Sequence, residues 1–162
     1  MTNSSPLKLL IFGGSGVLGS AIAEKFKTHD YKVTYGVRTI TNPVDQFLLP
    51  ITDGPVPELL KGELFDVVVF AQGANNNDSV INHSPDDLTR LFQANVSFIT
   101  DTTKALMLHN LIKQKGKIVI LSSFWEQITR QEKMSYTITK AAVGGLVRSM
   151  AVDLGNAKGI LV

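Results

Sequence analysis

The stretch from Lys8 to Gly19, K-L-L-I-F-G-G-S-G-V-L-G, constrains the fold of this chain more than any other. Lys8–Phe12 is short, apolar and bounded by glycines, the pattern of a buried strand. Val17, Leu18, Ile22 and Phe26 recur at helical spacing, so a helix over Val17–Lys27 follows. A strand, a glycine-rich turn and a helix in direct succession open a parallel α/β unit. Gly13 permits a sharp turn, Gly16 lets a pyrophosphate approach the backbone, and Gly19 lets helix and sheet pack closely. The helix behind the turn points unpaired amides and the positive end of its dipole at whatever binds there. This is the spacing of a dinucleotide-binding turn. It nominates Gly13, Ser15, Gly16, Val17, Leu18 and Gly19 as cofactor contacts.

The remaining pattern continues the alternation. Strands are expected at Tyr31–Val37, Gln46–Ile51, Asp66–Phe70 and Lys117–Leu121, with loops at Thr39–Pro43, Asn75–His83 and Phe124–Lys133. Met1–Pro6 reads as a polar lead-in, Asp53–Pro57 as a turn, and Glu58–Lys61 as a short helix at most. Ser84 followed by Pro85, Asp86 and Asp87 is a helix start: a hydroxyl cap, proline in the first turn, then carboxylates at the positive end of the dipole. That helix is expected to reach Leu111, with Lys113, Lys115 and Lys117 as its solvated end. A last long helix covers Ser135 to Leu154, and Gly159–Val162 reads as the opening of a further strand. Continuously apolar strands alternating with helices predict a doubly wound parallel sheet, α/β/α in three layers, with its ligand site at the carboxyl ends of the strands.

Composition narrows the function classes. The chain has 162 residues, enough for one domain and one sizeable core. Net charge is +2 without a basic run, which argues against a nucleic-acid partner. There are no cysteines, so disulfides and a thiol nucleophile are excluded. The three histidines show no metal spacing, and no metal site is expected. No apolar run reaches the ~18 residues of a membrane span, and glycines interrupt any signal-peptide core. A cytoplasmic protein without a membrane partner is the expectation.

The chemistry gathers near the C-terminal end. Ser123 is followed thirteen residues later by Tyr136, and Tyr136 four residues later by Lys140. Residues four apart share a helix face, so Lys140 can lie beside Tyr136. An unperturbed phenol titrates near ~10, and an adjacent ammonium favours the phenolate. A hydroxyl at a strand end can hold a carbonyl oxygen against such a phenol. At the end of the second strand stands Arg38, where NAD binding usually calls for a carboxylate. Arg38 suits a 2′-phosphate, so NADP is expected, with NAD as the alternative.

In this order the motifs resemble those of the short-chain dehydrogenase/reductase family, from Leu9 to Val162. G-G-S-G-V-L-G stands at the family's glycine motif. A-Q-G-A, with Ala71, Gln72 and Gly73, stands where the family has N-A-G beside the adenine ribose. Asn95, Ser123, Tyr136 and Lys140 match the catalytic tetrad. The Ser-to-Tyr gap resembles the compact branch rather than the extended members that modify sugar nucleotides. The resemblance implies a Rossmann fold and hydride transfer between a nicotinamide cofactor and a small carbonyl or secondary alcohol. Tyr136 would be the acid/base, and Tyr136 and Lys140 would also touch the cofactor. Lys140 would tune the phenol and hold the nicotinamide ribose, Ser123 would polarise the substrate oxygen, and Asn95 would hold a water. It also implies a homodimer or homotetramer.

The chain departs from the family in three places. The segment between the second and third strands is short. Pro50 stands where many members have an adenine-contacting aspartate. The sequence ends before the family's last strands, so a single NAD(P)-binding domain, incomplete at its C-terminus, is expected. A competing reading is an NADP-binding sensor or scaffold without catalysis.

Overall fold

The computed structural model describes residues 5–162. The polar lead-in read at the N-terminus falls, over residues 1–4, outside the described residues. Five parallel strands form one sheet in the order β3-β2-β1-β4-β5. They are β1 (Lys8–Phe12), β2 (Lys32–Val37), β3 (Gln46–Leu48), β4 (Phe65–Phe70) and β5 (Ile112–Ile120). The helices are α1 (Val17–Lys27), α2 (Pro85–Phe92), α3 (Phe98–Leu108) and α4 (Met134–Lys158). The expected doubly wound parallel sheet is therefore the observed one.

The central strands β1 and β4 are almost wholly apolar because both faces of the sheet are covered there. Alternate residues of β1 point to opposite sides. Leu10 and Phe12 join Val68, Phe70, Ile99, Leu106, Val143 and Met150 in the larger core, under α2–α4. Leu9 and Ile11 join Val33, Val67, Val69 and Ala23 in the smaller core, under α1. Phe12 stacks on Phe70 with ring centroids 4.9 Å apart and meets Phe98 edge-on at 5.6 Å. Truncating such a side chain costs about 3–5 kcal/mol.

The chain steps outward from β1 to β2 and β3, then returns to place β4 on the other side of β1. The crevice between the ends of β1 and β4 is thus a topological switch point, where ligands of such sheets bind.

Several boundaries differ from the sequence reading. The third strand stops at Leu48; Leu49 and the cis-linked Pro50 follow. Proline has no amide to offer a ladder. The helix that Ser84 caps, its hydroxyl accepting from the Asp87 amide at 3.3 Å, ends at Leu108 rather than Leu111. Asn110 takes a left-handed conformation (φ 53°) and turns the chain, so the Leu111 carbonyl already accepts from Phe65 N at 2.8 Å. Lys113, Lys115 and Lys117 are accordingly not a helix end. They lie on the irregular start of β5, where the pairing jumps from Phe65–Ile112 to Val67–Lys117. Lys113 Nζ lies 2.7 Å from Asp66 Oδ1, so part of that charge is neutralised on the neighbouring strand. The Phe124–Lys133 loop contains a 3₁₀ turn, Phe124–Glu126, and α4 runs to Lys158. Beyond Gly159, Leu161 bridges Lys117 in parallel, as the opening of a further strand would.

Candidate active site

The glycine turn connects the end of β1 to α1 and faces the end of β4. Gly13 has φ +78°, and a Cβ there would lie 2.5 Å from the Gln72 amide nitrogen. Only glycine satisfies both the conformation and the approach. A Cβ on Gly19 would press on the Gly13 carbonyl and lie 3.0 Å from Gly14 Cα. Gly19 therefore lets the first turn of α1 close on the glycine turn itself, where the sequence suggested contact with the sheet. Gly16 caps α1 without any side-chain bond to the first amides. Ser15, Gly16, Val17 and Leu18 are exposed around that open helix end.

Two further groups border the same space. Ala71 continues β4, its amide donating to the Phe12 carbonyl at 2.9 Å. At Gln72, both side-chain amide atoms are buried without a partner. Unpaired buried polar atoms are costly, and a ligand in the crevice would relieve them. Arg38 follows the carboxyl end of β2 and is exposed, with no side-chain hydrogen bond or ion pair among the described residues. A cleared backbone, free helix amides and an orphaned amide side chain fit a dinucleotide.

Asn95, Tyr136 and Lys140 lie close together beside the loop after β4, while Ser123 stands in the turn after β5. Asn95 sits in a π-helical turn, Gln93–Ser97, between α2 and α3. It is 1% exposed and its side chain is fully engaged. Its Oδ1 accepts from Ala74 N at 2.7 Å, while Nδ2 donates to Ala74 O at 2.9 Å and Thr139 Oγ1 at 3.0 Å. Asn95 so ties the loop after β4 to α4. Gly73 is adjacent: a Cβ there would lie 3.3 Å from Asn95 Oδ1 and 3.8 Å from Lys140 Nζ.

Tyr136 and Lys140 occupy successive turns of α4, and Lys140 Nζ lies 5.7 Å from the Tyr136 ring centroid. The amine donates to Leu121 O at 3.2 Å, just beyond the end of β5. Lys140 is 5% exposed, and burial pushes its amine below the usual lysine range, against the opposing pull of the Glu126 carboxylate. Ser123 caps the 3₁₀ turn, its hydroxyl accepting from Trp125 N at 3.4 Å. It shares no hydrogen bond with Tyr136. With Ser122, Phe124, Glu126, Gln127 and Ile128 it lines an open groove of about 510 Å³.

Two important residues, Asp78 and Lys133, were hidden in what reads as a polar loop and a loop end. Asp78, 3% exposed, accepts from Ser135 N at 2.9 Å through its carboxylate and from Met134 N at 3.2 Å through its carbonyl. Burial alone would raise its pKa, but hydrogen bonding to Ser135 brings it below the usual value. Lys133 donates to Asn75 Oδ1 at 2.9 Å, Asn76 O at 3.3 Å and Asn77 Oδ1 at 2.5 Å. Its Nζ lies 5.6 Å from the Tyr136 ring centroid. Their only sequence signal was the run N-N-N-D with K-M-S far downstream; the pairing spans more than fifty residues.

Comparison with known proteins places the chain in a family. Residues 61–162, more than half of the chain, match the family model described as Enoyl-(Acyl carrier protein) reductase. The chain belongs to the short-chain dehydrogenase/reductase family of oxidoreductases. Oxidoreductase UcpA of Escherichia coli is 29% identical over 54% of this chain and 34% of its own length. The matched region thus spans about a third of that relative. The 3alpha-hydroxysteroid dehydrogenase of Mediterraneibacter gnavus is 26% identical over 90% of this chain and 67% of its own. A short-chain dehydrogenase family protein from Francisella tularensis superposes with a TM-score of 0.80 at 20% identity, covering 96% of this chain and 66% of that one. BdcA, solved in complex with NADPH, superposes at 0.75 with 21% identity, covering 95% and 67%. These superpositions show the fold. Among the described residues no helix is long and apolar enough to cross a membrane.

Proposed function

We propose that this chain belongs to an NADP-dependent oxidoreductase that interconverts a small carbonyl compound and its secondary alcohol. The observation that carries the reading is the Tyr136–Lys140 pair on one face of α4, set against the crevice that the glycine turn opens. Gly13, Ser15, Gly16, Val17, Leu18 and Gly19 would surround the pyrophosphate at the end of α1. Arg38 would meet the 2′-phosphate, and Ala71, Gln72 and Gly73 would line the ribose side. The nicotinamide cofactor supplies the hydride when bound.

The protein's own part is to hold the oxygen and move the proton. Ser123 donates a hydrogen bond to the substrate oxygen in the groove it lines. The Tyr136 hydroxyl gives its proton to that oxygen during reduction and takes it back during oxidation. The Lys140 ammonium steadies the negative charge that passes through the phenol, and it is placed to reach the nicotinamide ribose. Asn95, through Ala74 and Thr139, holds the loop and helix on which the others sit. Phe92 and Leu108, 41% and 57% exposed, lie on the α2–α3 helix that would pair across a homodimer or homotetramer.

The test is to assay the full-length protein with NADPH against a panel of ketones and aldehydes. Turnover of any of them supports the reading. Tight NADPH binding without turnover contradicts it and favours a sensor. Turnover of nucleotide sugars instead would move the protein to a different branch.

A further inference from the structure

Tyr136, Lys140 and Gly144 recur every fourth residue and so share one face of α4. Glu126, in the 3₁₀ turn after β5, lies against the third of them. A Cβ on Gly144 would come 2.6 Å from Glu126 Cδ and 3.1 Å from its Cγ. Glycine inside a helix is less favourable than alanine. Here that cost makes room for a carboxylate one turn beyond a buried amine. The Glu126 side chain has no hydrogen bond or ion pair among the described residues, although it is partly buried. Lys140, 5% exposed, has a single neutral acceptor, the Leu121 carbonyl. A buried ammonium needs compensating negative charge or it gives up its proton.

The other groups around that amine do not supply the charge. From its own helix comes the Tyr136 phenol, and Lys133 lies across the Tyr136 ring. The loop after β4 and the π turn present Gly73 and Asn95, both neutral. Asp78 is committed to Ser135 at the start of α4.

We propose that Glu126 is the counter-charge that keeps Lys140 protonated, a positioning residue that acts through Lys140 rather than on the substrate. The inference rests on the Tyr136–Lys140 reading above. It fits the electrostatics of the amine, which burial pulls down and the Glu126 carboxylate pulls up. The sign follows. Without Glu126 the ammonium is lost at lower pH, so any defect grows as pH rises.

The deciding measurement is a titration that needs no cofactor and no turnover. The full chain is labelled on lysine, the Lys140 resonance is assigned with Lys140→Arg, and its titration is followed by NMR in wild type, Glu126→Gln, Glu126→Asp and Gly144→Ala. The Lys140 midpoint should fall in Glu126→Gln and fall less in Glu126→Asp. It should also fall in Gly144→Ala, where the added methyl displaces the carboxylate while alanine favours the helix. In turnover assays the Glu126→Gln defect should grow between the two midpoints and reach about tenfold for each unit by which the midpoint has moved, above the wild-type midpoint. Unchanged midpoints in both Glu126→Gln and Gly144→Ala overturn the proposal, whatever the activity. A shifted midpoint beside a fully active Tyr136→Phe keeps the Glu126–Lys140 coupling and removes only the catalytic reading.

Discussion

The two sides of the crevice are built by opposite means. On the β1 side the chain withholds side chains: Gly13 and Gly19 leave no room for a methyl, and the first amides of α1 have no side-chain cap. On the α4 side it supplies them in excess. Asn95, Asp78 and Lys133 hold the loop after β4 to the start of α4 through a chain of hydrogen bonds. One side is a shape with the first amides of α1 left open; the other is closed on itself before any ligand arrives. A binding surface gains from open groups that a ligand can satisfy, whereas a reacting pair gains from being fixed in advance.

That contrast can be broken at graded strengths. Gly13→Ala should be the most damaging, destabilising the chain by about 3–4 kcal/mol from left-handed strain plus backbone overlap with Gln72. A urea midpoint close to wild type would show that the turn is not a fixed shape. Asn95→Ala should cost about 2–3 kcal/mol in the same measurement, because it strands the Ala74 amide and carbonyl. Arg38→Ala should weaken NADPH by about tenfold and leave NADH nearly unchanged. Equal losses, measured by fluorescence titration, would take Arg38 out of the phosphate site. Asp78→Asn should be mildest, about 1 kcal/mol near neutral pH. Because the folded pKa of Asp78 lies below its ordinary 3.8, its contribution is present above that value and lost as pH falls through the lower one. The gap between wild type and Asp78→Asn should therefore close on acidification, and a constant gap would show that charge is not what Asp78 contributes.

The same contrast explains what was legible in the sequence. The strand, glycine turn and α1 are local, and local rules of strand pattern, turn conformation and helix capping describe them. So too for the Ser84 cap and for the spacing of Tyr136 and Lys140 on α4. The π turn around Asn95 was not legible, because Q-A-N-V-S carries no composition that separates it from an ordinary helix. The lysines at 113–117 were misplaced because four residues bulging from a strand look, one by one, like a polar helix end. Asp78 and Lys133 were missed because their partners lie more than fifty residues away, and no local period reports such contacts.

The central claim is that the Tyr136 hydroxyl moves a proton while NADPH gives up its hydride. Tyr136→Phe tests it most directly, since it removes one oxygen and leaves the ring between Lys133 and Lys140. With a ketone that the full-length protein reduces, the rate of NADPH oxidation should fall about a thousandfold while NADPH affinity stays as it was. A Tyr136→Phe protein that still reduces the ketone at the wild-type rate would contradict the account.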